Sequence, residues 1–239
     1  MSKTMDFKEM YALAERYSDS DIDAQDKKIQ KAFKAALDVC CEKKIPWALQ
    51  KRGYCEYCGT DIIPNDWKAA ERDLGAFYEM TGDPSAANSL GYIYYYGRVN
   101  GGKPQYKKAF HYFSIGHIAG GIYESTYKLG DMFRDGKGVA ADIRTAIRLY
   151  LTVYSDTQEQ YKNGHYDCKH ADICLRIGSC FLHGDGLMKD VDEAYKYLRE
   201  AEEAIYKRME VCNSYGDQTV LEKIQDALRE ARSESHGFY

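Results

Sequence analysis

Three groups of residues in the sequence have types and spacings that could support chemistry. Cys55 and Cys58 form a C-x-x-C pair, which can supply half of a zinc site or act as a redox couple. His165, Cys168 and His170 offer three further zinc ligands within one short stretch. The C-x-x-C pair has no second pair to complete a site, and the His/Cys/His spacing fits no established zinc motif. We therefore predict neither a bound metal nor another cofactor.

Ser125 and Lys128 form the third group, an S-x-x-K tetrapeptide of the kind that carries the serine nucleophile in β-lactamases. The S-D-N and K-T-G motifs that accompany it there are absent from the sequence. A two-residue match is expected by chance in a chain of 239 residues. The sequence therefore favours a protein that is not an enzyme, and a hydrolase of the β-lactam-binding type is the first alternative.

Composition and charge exclude several classes of partner. Hydrophobic residues are 44% and charged residues 29%, as in ordinary globular proteins, and the formal net charge of -4 attracts neither nucleic acid nor anionic lipid. The N-terminal residues lack a signal-peptide pattern, and no apolar run approaches the roughly 18 residues that span a bilayer. We expect a cytoplasmic protein without membrane insertion, its eight cysteines mostly buried thiols. The second alternative is a secreted, disulfide-stapled protein that recognises a host partner.

The elements that would position these residues recur along the chain. Four segments carry two glycines six residues apart. The first glycines are Gly53, Gly91, Gly130 and Gly178, and the second are Gly59, Gly97, Gly136 and Gly184. An alanine that heads an apolar helical stripe follows each pair, at Ala69, Ala109, Ala146 and Ala194. Two landmarks that keep register in four copies indicate an internal repeat of helix pairs.

This pattern resembles the Sel1-like repeat, a relative of the tetratricopeptide repeat. The first copy departs most from the family, because Arg52 stands in place of leucine and Glu56 in place of an aromatic residue. The resemblance implies a right-handed, all-α solenoid, a protein-interaction role and a bacterial source. The second copy keeps Ala87, Leu90, Gly91, Tyr94, Gly97, Lys108, Ala109 and Tyr112 of the family motif.

Helix pairs of this kind cannot bury their apolar sides alone, so they stack on one another and need capping helices at the ends. We predict N-terminal capping helices in residues 1–44, the array in 45–212, and a C-terminal capping helix and tail in 213–239. The repeats lie near 45–82, 83–120, 121–166 and 167–212. The predicted helices are 5–18, 21–43, 45–58, 65–80, 84–97, 105–119, 122–136, 142–160, 168–184, 189–212 and 217–233. Repeat three carries an insertion near 151–170, which is either functional or an extended helix pair.

In the families that the repeat resembles, the first helix of each pair (helix A) lines a concave face. Helical spacing places Tyr54, Tyr57, Asn88, Tyr92, Tyr95, Tyr96, Tyr127, Asp131 and Arg134 on that face. Tyrosine offers a large contact area and a polar tip at a small entropy cost. We therefore predict a scaffold or adaptor that binds a protein or peptide ligand on a tyrosine-rich face. The alternative is that these tyrosines pack against adjacent repeats, and the sequence indicates neither the partner nor the oligomeric state.

Overall fold

The computed structural model describes residues 6–17, 21–212 and 216–236, and all regular secondary structure in these ranges is helical. The helices are α1 Phe7–Arg16, α2 Lys27–Glu42, α3 Pro46–Cys58, α4 Trp67–Thr81, α5 Pro84–Tyr95, α6 Tyr106–Gly120, α7 Tyr123–Asp135, α8 Ile143–Lys162, α9 His170–His183, α10 Val191–Val211 and α11 Asp217–His236. The chain divides into two compact units, Met1–Ile122 with α1 to α6 and Tyr123–Tyr239 with α7 to α11. None of the described helices is both long and apolar enough to cross a bilayer.

The helix pairs form where the sequence predicts them, and the predicted start of one capping helix is wrong. Helix α2 begins at Lys27, about six residues after the predicted position near 21. Asp26 sets this start because its side chain accepts hydrogen bonds from the backbone N–H groups of Lys28 and Ile29. The insertion of repeat three takes the form of a longer helix, since α8 extends to Lys162.

One backbone hydrogen bond closes the turn between helix A and helix B in all four repeats. The residue that precedes helix B donates its N–H to the carbonyl oxygen of the residue three positions after the first glycine. The N···O distances are 2.9 Å for Asp66–Glu56, 2.9 Å for Gln105–Tyr94, 2.8 Å for Asp142–Phe133 and 3.0 Å for Asp190–Phe181. The divergent first copy therefore closes its turn with the same backbone hydrogen bond as the other three.

The first glycine of each repeat lies where helix A touches helix B. A β-carbon at Gly91 would come within 2.6 Å of the Phe113 ring, and one at Gly130 within 2.5 Å of the Tyr150 ring. The same contact joins Gly53 to Leu74 and Gly178 to Leu198. Heavy atoms do not approach so closely without displacement, so the pairs need glycine here.

The alanine landmark of the first repeat is Ala70, and the prediction of Ala69 is wrong by one position. In the other three repeats, the side chain that packs on the first glycine follows the landmark alanine by four residues. These side chains are Phe113, Tyr150 and Leu198, which follow Ala109, Ala146 and Ala194. Leu74 lies four residues after Ala70, which is fully buried, whereas Ala69 is half-buried. The turn of the first repeat is one residue longer than the turns of the third and fourth, which shifted the count.

Each end of the array carries the helices that were predicted to cap it. Helices α1 and α2 enclose a core with α3 that includes Phe33, Leu37 and Leu49. Helix α11 covers α10 with four buried side chains. These are Leu221, Ile224, Leu228 and Ala231. The second glycines of the repeats all have positive φ, between 64° and 82°, as expected for residues that end helix A.

Candidate interaction surface

Aromatic side chains gather around the turns of the first two repeats. Tyr57 near the end of α3 meets Trp67 at the start of α4 edge to face, with ring centroids 5.2 Å apart. Arg98 extends from the next turn, and its guanidinium lies 4.9 Å from the Trp67 ring and 5.6 Å from the Tyr96 ring. Arg98 thereby links the two repeats through cation–π contacts. We refer to Tyr57, Trp67, Tyr92, Tyr95, Tyr96 and Arg98 as the aromatic surface.

The tyrosines of α5 rest on the contact that holds the second repeat together. Tyr92 and Tyr96, one helical turn apart, stack with an interplanar angle of 13°. Phe113, the residue that fills the space above Gly91, lies 5.2 Å from Tyr92 and 6.2 Å from Tyr95. These contacts hold the rings in one arrangement before any partner binds, so little rotamer entropy remains to be lost.

The exposure of these side chains determines what the surface can offer. Tyr96 is 47% exposed, while Tyr57, Tyr92 and Tyr95 are half-buried. Burial raises the pKa of Tyr57 to about 12, so its hydroxyl stays protonated at neutral pH. Each ring therefore presents an apolar edge, and the hydroxyls can donate to carbonyl or carboxylate oxygens of a bound chain.

The other predicted binding residues of the first unit lie outside this cluster. Tyr54 is half-buried, and its pKa is raised to about 12, first by burial and then by Asp83 of the next repeat. A hydrogen bond with Ser89 of α5 opposes that shift. Asn88 lies one turn before Tyr92 on α5 and is half-buried. Tyr54 therefore packs between the first and second repeats, as the alternative interpretation of the tyrosines expected.

The predicted groove positions of the third repeat are mostly buried, which corrects the prediction. Asp131 receives two hydrogen bonds of 2.7 Å from Arg176 of α9 and one of 2.9 Å from the Tyr150 hydroxyl of α8. Tyr127 is buried under the same guanidinium, which lies 4.7 Å from its ring. Burial alone would raise the pKa of Asp131, but Arg176 holds it well below its usual range. Arg134 is exposed and binds Asp135.

A shallow cavity of about 330 Å³ lies between α4 of the first repeat and the two helices of the second, and it contains tyrosines that the predicted binding set omitted. The hydroxyl of Tyr94 donates to Glu71, and its ring stacks on Tyr112 with centroids 5.6 Å apart. Lys108 lies 4.7 Å from the Tyr94 ring. Burial and Glu71 raise the pKa of Tyr94. The cavity is lined by Glu71, Arg72, Gly75, Ala76, Glu79, Leu90, Tyr94 and Tyr112.

The two departures of the first repeat, Arg52 and Glu56, belong to an ion network. Arg52 donates to Asp73 of α4 and, over 3.0 Å, to Asp38 of α2. Glu56 lies 3.8 Å from Arg52 and 3.6 Å from Arg72, too far for direct hydrogen bonds, and its Oε2 atom has no partner. Burial, together with Asp73, raises the pKa of Glu56 to about 7.

The sequence profile of the Sel1 repeat family matches residues 84–116, 124–152 and 171–204. The chain is a Sel1 repeat protein. The first repeat lies outside the matched segments, as expected from Arg52 and Glu56, although the same backbone hydrogen bond closes its turn. Repeats of this family generally mediate protein–protein interaction.

Solved structures share the fold of this Sel1 repeat protein. A Sel1 repeat protein from Oxalobacter formigenes superposes with a TM-score of 0.55 and 18% identity, covering 95% of this chain and 88% of that one. The uropathogenic Escherichia coli protein c5321, described as a protective antigen with an SLR fold, gives a TM-score of 0.60 and 16% identity. That alignment covers 98% of this chain and 49% of c5321, so this chain spans about half of its length. A comparison with curated protein sequences found no match.

The residues that the sequence grouped for chemistry lie in different environments in this Sel1 repeat protein. Ser125 is fully buried, and Lys128 is buried with its Nζ 3.6 Å from Asp131. Cys55 is a core residue and Cys58 is exposed. No disulfide joins any of the eight cysteines, all of which the structure describes.

The residues of the predicted zinc trio also differ in environment. His165 is exposed, whereas Cys168 is buried and its thiol donates to the backbone oxygen of Thr157. His170 is buried and meets Cys174 and Glu200 instead. In the described part of the chain, these three residues are the group whose ligand atoms come within reach of one common ion.

The residues of the aromatic surface that the prediction missed all lie outside helix A. Trp67 and Arg98 belong to the start of helix B and to the turn, whereas the predicted set was drawn from helix A alone. The signal was present in the sequence, because Arg98 directly follows Gly97 and Trp67 directly follows Asp66, the residue that precedes helix B of the first repeat. A search of the turns for aromatic and cationic residues would have found them.

Proposed function

We propose that this Sel1 repeat protein is a non-catalytic scaffold that binds a peptide or a protein segment through the aromatic surface of its first unit. The observation that carries this proposal is the exposed Tyr96 ring, held between Tyr92, Tyr95 and Arg98. Contact residues of this kind are those in which binding energy concentrates, since they are large, rigid and only partly hydrated.

The chemistry of the surface favours a ligand with apolar side chains and exposed backbone or carboxylate oxygens. The tyrosine rings offer apolar area, and their hydroxyls donate hydrogen bonds. Arg98 adds a planar donor that is already oriented by Trp67 and Tyr96. An extended or helical peptide with one acidic residue beside an apolar one fits this set of groups.

Peptide selection with the full-length protein tests the proposal. We expect enrichment of short peptides that combine apolar and acidic residues. Tyr96→Ala and Arg98→Ala should each weaken the binding of a selected peptide at least about tenfold, the loss expected at a hot spot. The matched control is Tyr206→Ala, because Tyr206 of α10 is 46% exposed, as Tyr96 is 47% exposed. Equal binding by the three variants, or no enriched peptide, would contradict the proposal.

The proposed compartment is the cytoplasm, where thiols stay reduced. Six of the eight cysteines are buried, and the structure joins none of them in a disulfide. Titration of the unreduced, denatured protein with a thiol reagent should therefore count eight thiols. Recovery of four disulfide bridges from the native source would instead support the secreted alternative.

A further inference from the structure

Three ligand-type side chains converge between the two helices of the fourth repeat. His170 and Cys174 lie one turn apart on α9, and Glu200 extends from α10. The His170 Nε2 atom is 2.8 Å from Glu200 Oε1 and 3.4 Å from Cys174 Sγ. One ligand atom from each residue lies within 4.8 Å of the other two. His170 and Cys174 are fully buried, and the Glu200 side chain is 31% exposed.

The hydrogen bond on the far side of the imidazole determines which nitrogen faces this cluster as an acceptor. The hydroxyl of Thr157 donates to the backbone oxygen of Val153 over 3.0 Å, so its oxygen is left to accept from His170 Nδ1–H over 3.1 Å. In the neutral ring, Nε2 then carries a lone pair directed at Glu200 and Cys174. At 2.8 Å from a carboxylate oxygen, this lone pair requires either a proton or a metal ion between the two atoms.

We propose that His170, Cys174 and Glu200 bind a divalent transition-metal ion of the zinc type, with water as the fourth ligand. Nitrogen, thiolate and carboxylate oxygen are the donors that zinc takes, at about 2.0–2.1, 2.3 and 2.0–2.2 Å. In a tetrahedral site, these bonds separate the donors by roughly 3.4–3.6 Å. The observed Nε2···Sγ distance of 3.4 Å already fits.

The Glu200 carboxylate needs only a small movement to fit the tetrahedral arrangement. Glu200 must retract from His170 by roughly 0.6 Å to reach that donor separation, and its partly exposed side chain has room to do so. The Tyr154 hydroxyl already donates to Glu200 Oε2 over 3.0 Å, and Gln158 hydrogen-bonds that hydroxyl. Groups that hydrogen-bond to metal ligands hold them in orientation, and Thr157 makes such a contact with His170.

Position in the fold gives the site an entry path and a structural effect. Glu200 lines a surface depression together with Arg199, Glu202, Glu203 and Tyr206, so an ion can reach this carboxylate from solvent. A bound ion would join α9 to α10, the two helices of the repeat that α11 caps. The site is separate from the aromatic surface and does not depend on the proposed function.

Cobalt substitution of the full-length, reduced, chelator-treated protein tests the proposal. Co²⁺ should bind with one equivalent per chain and show a thiolate-to-cobalt charge-transfer band, and Zn²⁺ should displace it. Cys174→Ala should abolish that band, and Glu200→Gln should weaken Co²⁺ binding at least about tenfold, as expected when a ligand is lost. The controls Cys212→Ala and Glu210→Gln replace exposed residues of the same types outside the cluster and should bind as the parent does.

Failure of the folded protein to take up stoichiometric Co²⁺ or Zn²⁺ would overturn the proposal and leave a hydrogen bond between His170 and Glu200 in its place. A charge-transfer band that persists in Cys174→Ala would overturn it as well. Should Cys174→Ala not fold, Thr157→Val keeps all three ligands and decides the matter. It should weaken metal binding about 10- to 100-fold, and unchanged affinity would show that His170 is not a ligand.

Discussion

At the first glycine of each repeat, a single hydrogen atom occupies the space between helix A and helix B. Gly91→Ala would place a methyl group 2.6 Å from the Phe113 ring. We expect this variant to lose about 1–2 kcal/mol of unfolding free energy, because overpacking of about 1–3 kcal/mol exceeds the gain of up to about 1 kcal/mol in helix propensity. Chemical denaturation measures the change.

Gly75 supplies the control for that prediction. It lies inside α4, and a β-carbon there would meet nothing within 4 Å. Gly75→Ala should therefore raise the unfolding free energy by up to about 1 kcal/mol. Loss of stability in both variants would show that the close contact at Gly91 is not the cause.

Glu56 makes a residue-scale prediction about pH. Its pKa is about 7 in the folded protein and 4.5 in its ordinary state, so the native state holds the proton more tightly. This contribution is fully present below pH 4.5 and is lost as the pH rises through 7. The unfolding free energy should fall by up to about 3 kcal/mol from this group between pH 4.5 and 8.

Glu56→Gln should remove that part of the pH dependence, because an amide does not titrate. The variant should be more stable than the parent at pH 8, where the parent must keep a charge with an unpartnered Oε2 buried near Asp73. Urea denaturation at pH 5 and pH 8 measures the effect, with Glu42→Gln as an exposed control on α2. An unchanged pH slope in Glu56→Gln would show that Arg52 and Arg72 neutralise the carboxylate.

At the scale of the element, the four repeats share one turn-closing hydrogen bond and differ in how they cap the N-terminus of helix B. Asp190 accepts a hydrogen bond from the Glu193 backbone N–H at the start of α10, whereas Gln105 at the start of α6 makes no side-chain cap. Asp190→Ala should lower the unfolding free energy by about 1 kcal/mol, and Gln105→Asp should raise it by about 0.5–1 kcal/mol.

Thermal denaturation of the two cap variants shows whether an aspartate N-cap stabilises helix B in the second repeat as it does in the fourth. The backbone bond from Gln105 to Tyr94 does not involve the side chain that is exchanged, so the turn should stay intact. Opposite signs at the two positions are expected. Destabilisation by Gln105→Asp would mean that the Gln105 side chain has a role that an N-cap residue cannot replace.

The helices were predictable because each one begins and ends at residues whose backbone preferences are local. The second glycine ends helix A, and an aspartate starts helix B in three of the four repeats. The alanine of the first repeat was misplaced by one position because the turn between the second glycine and helix B differs in length by one or two residues among the repeats.

The candidate sites were less predictable, since they combine elements that are distant in sequence. Glycine register placed Tyr92, Tyr95 and Tyr96 together because they lie within about one turn of each other at the end of α5 and its C-cap. It could not show that Arg176, 45 residues away, binds Asp131 and removes it from the open surface. Glu200 meets His170 across 30 residues, so proximity in sequence paired that histidine with the wrong neighbours.

At the scale of the whole molecule, a repeat array has exposed core at each end unless another helix covers it. Helix α11 does this for the fourth repeat with Leu221, Ile224 and Leu228. Its Asp217 also binds the fully buried Arg208 over 2.8 Å, and Asp172 binds the same guanidinium over 2.6 Å. The cap is thus both apolar and ionic, and its loss would leave a buried cation with one carboxylate.

Removal of residues 217–236 should therefore destabilise the fourth repeat most. Three large buried side chains contribute about 1.5–3 kcal/mol each, so we expect a loss of several kcal/mol. In repeat proteins, a lost cap destabilises chiefly the repeat next to it, so hydrogen exchange should accelerate most in α9 and α10 and least in α3 and α4. Ile224→Ala should give a milder version of the same pattern, with a loss of about 2–5 kcal/mol, and exposed Asp226→Ala should give none. Uniform acceleration along the chain would mean that the array unfolds as one cooperative body, against the nearest-neighbour behaviour that its repeated turns and glycine contacts predict.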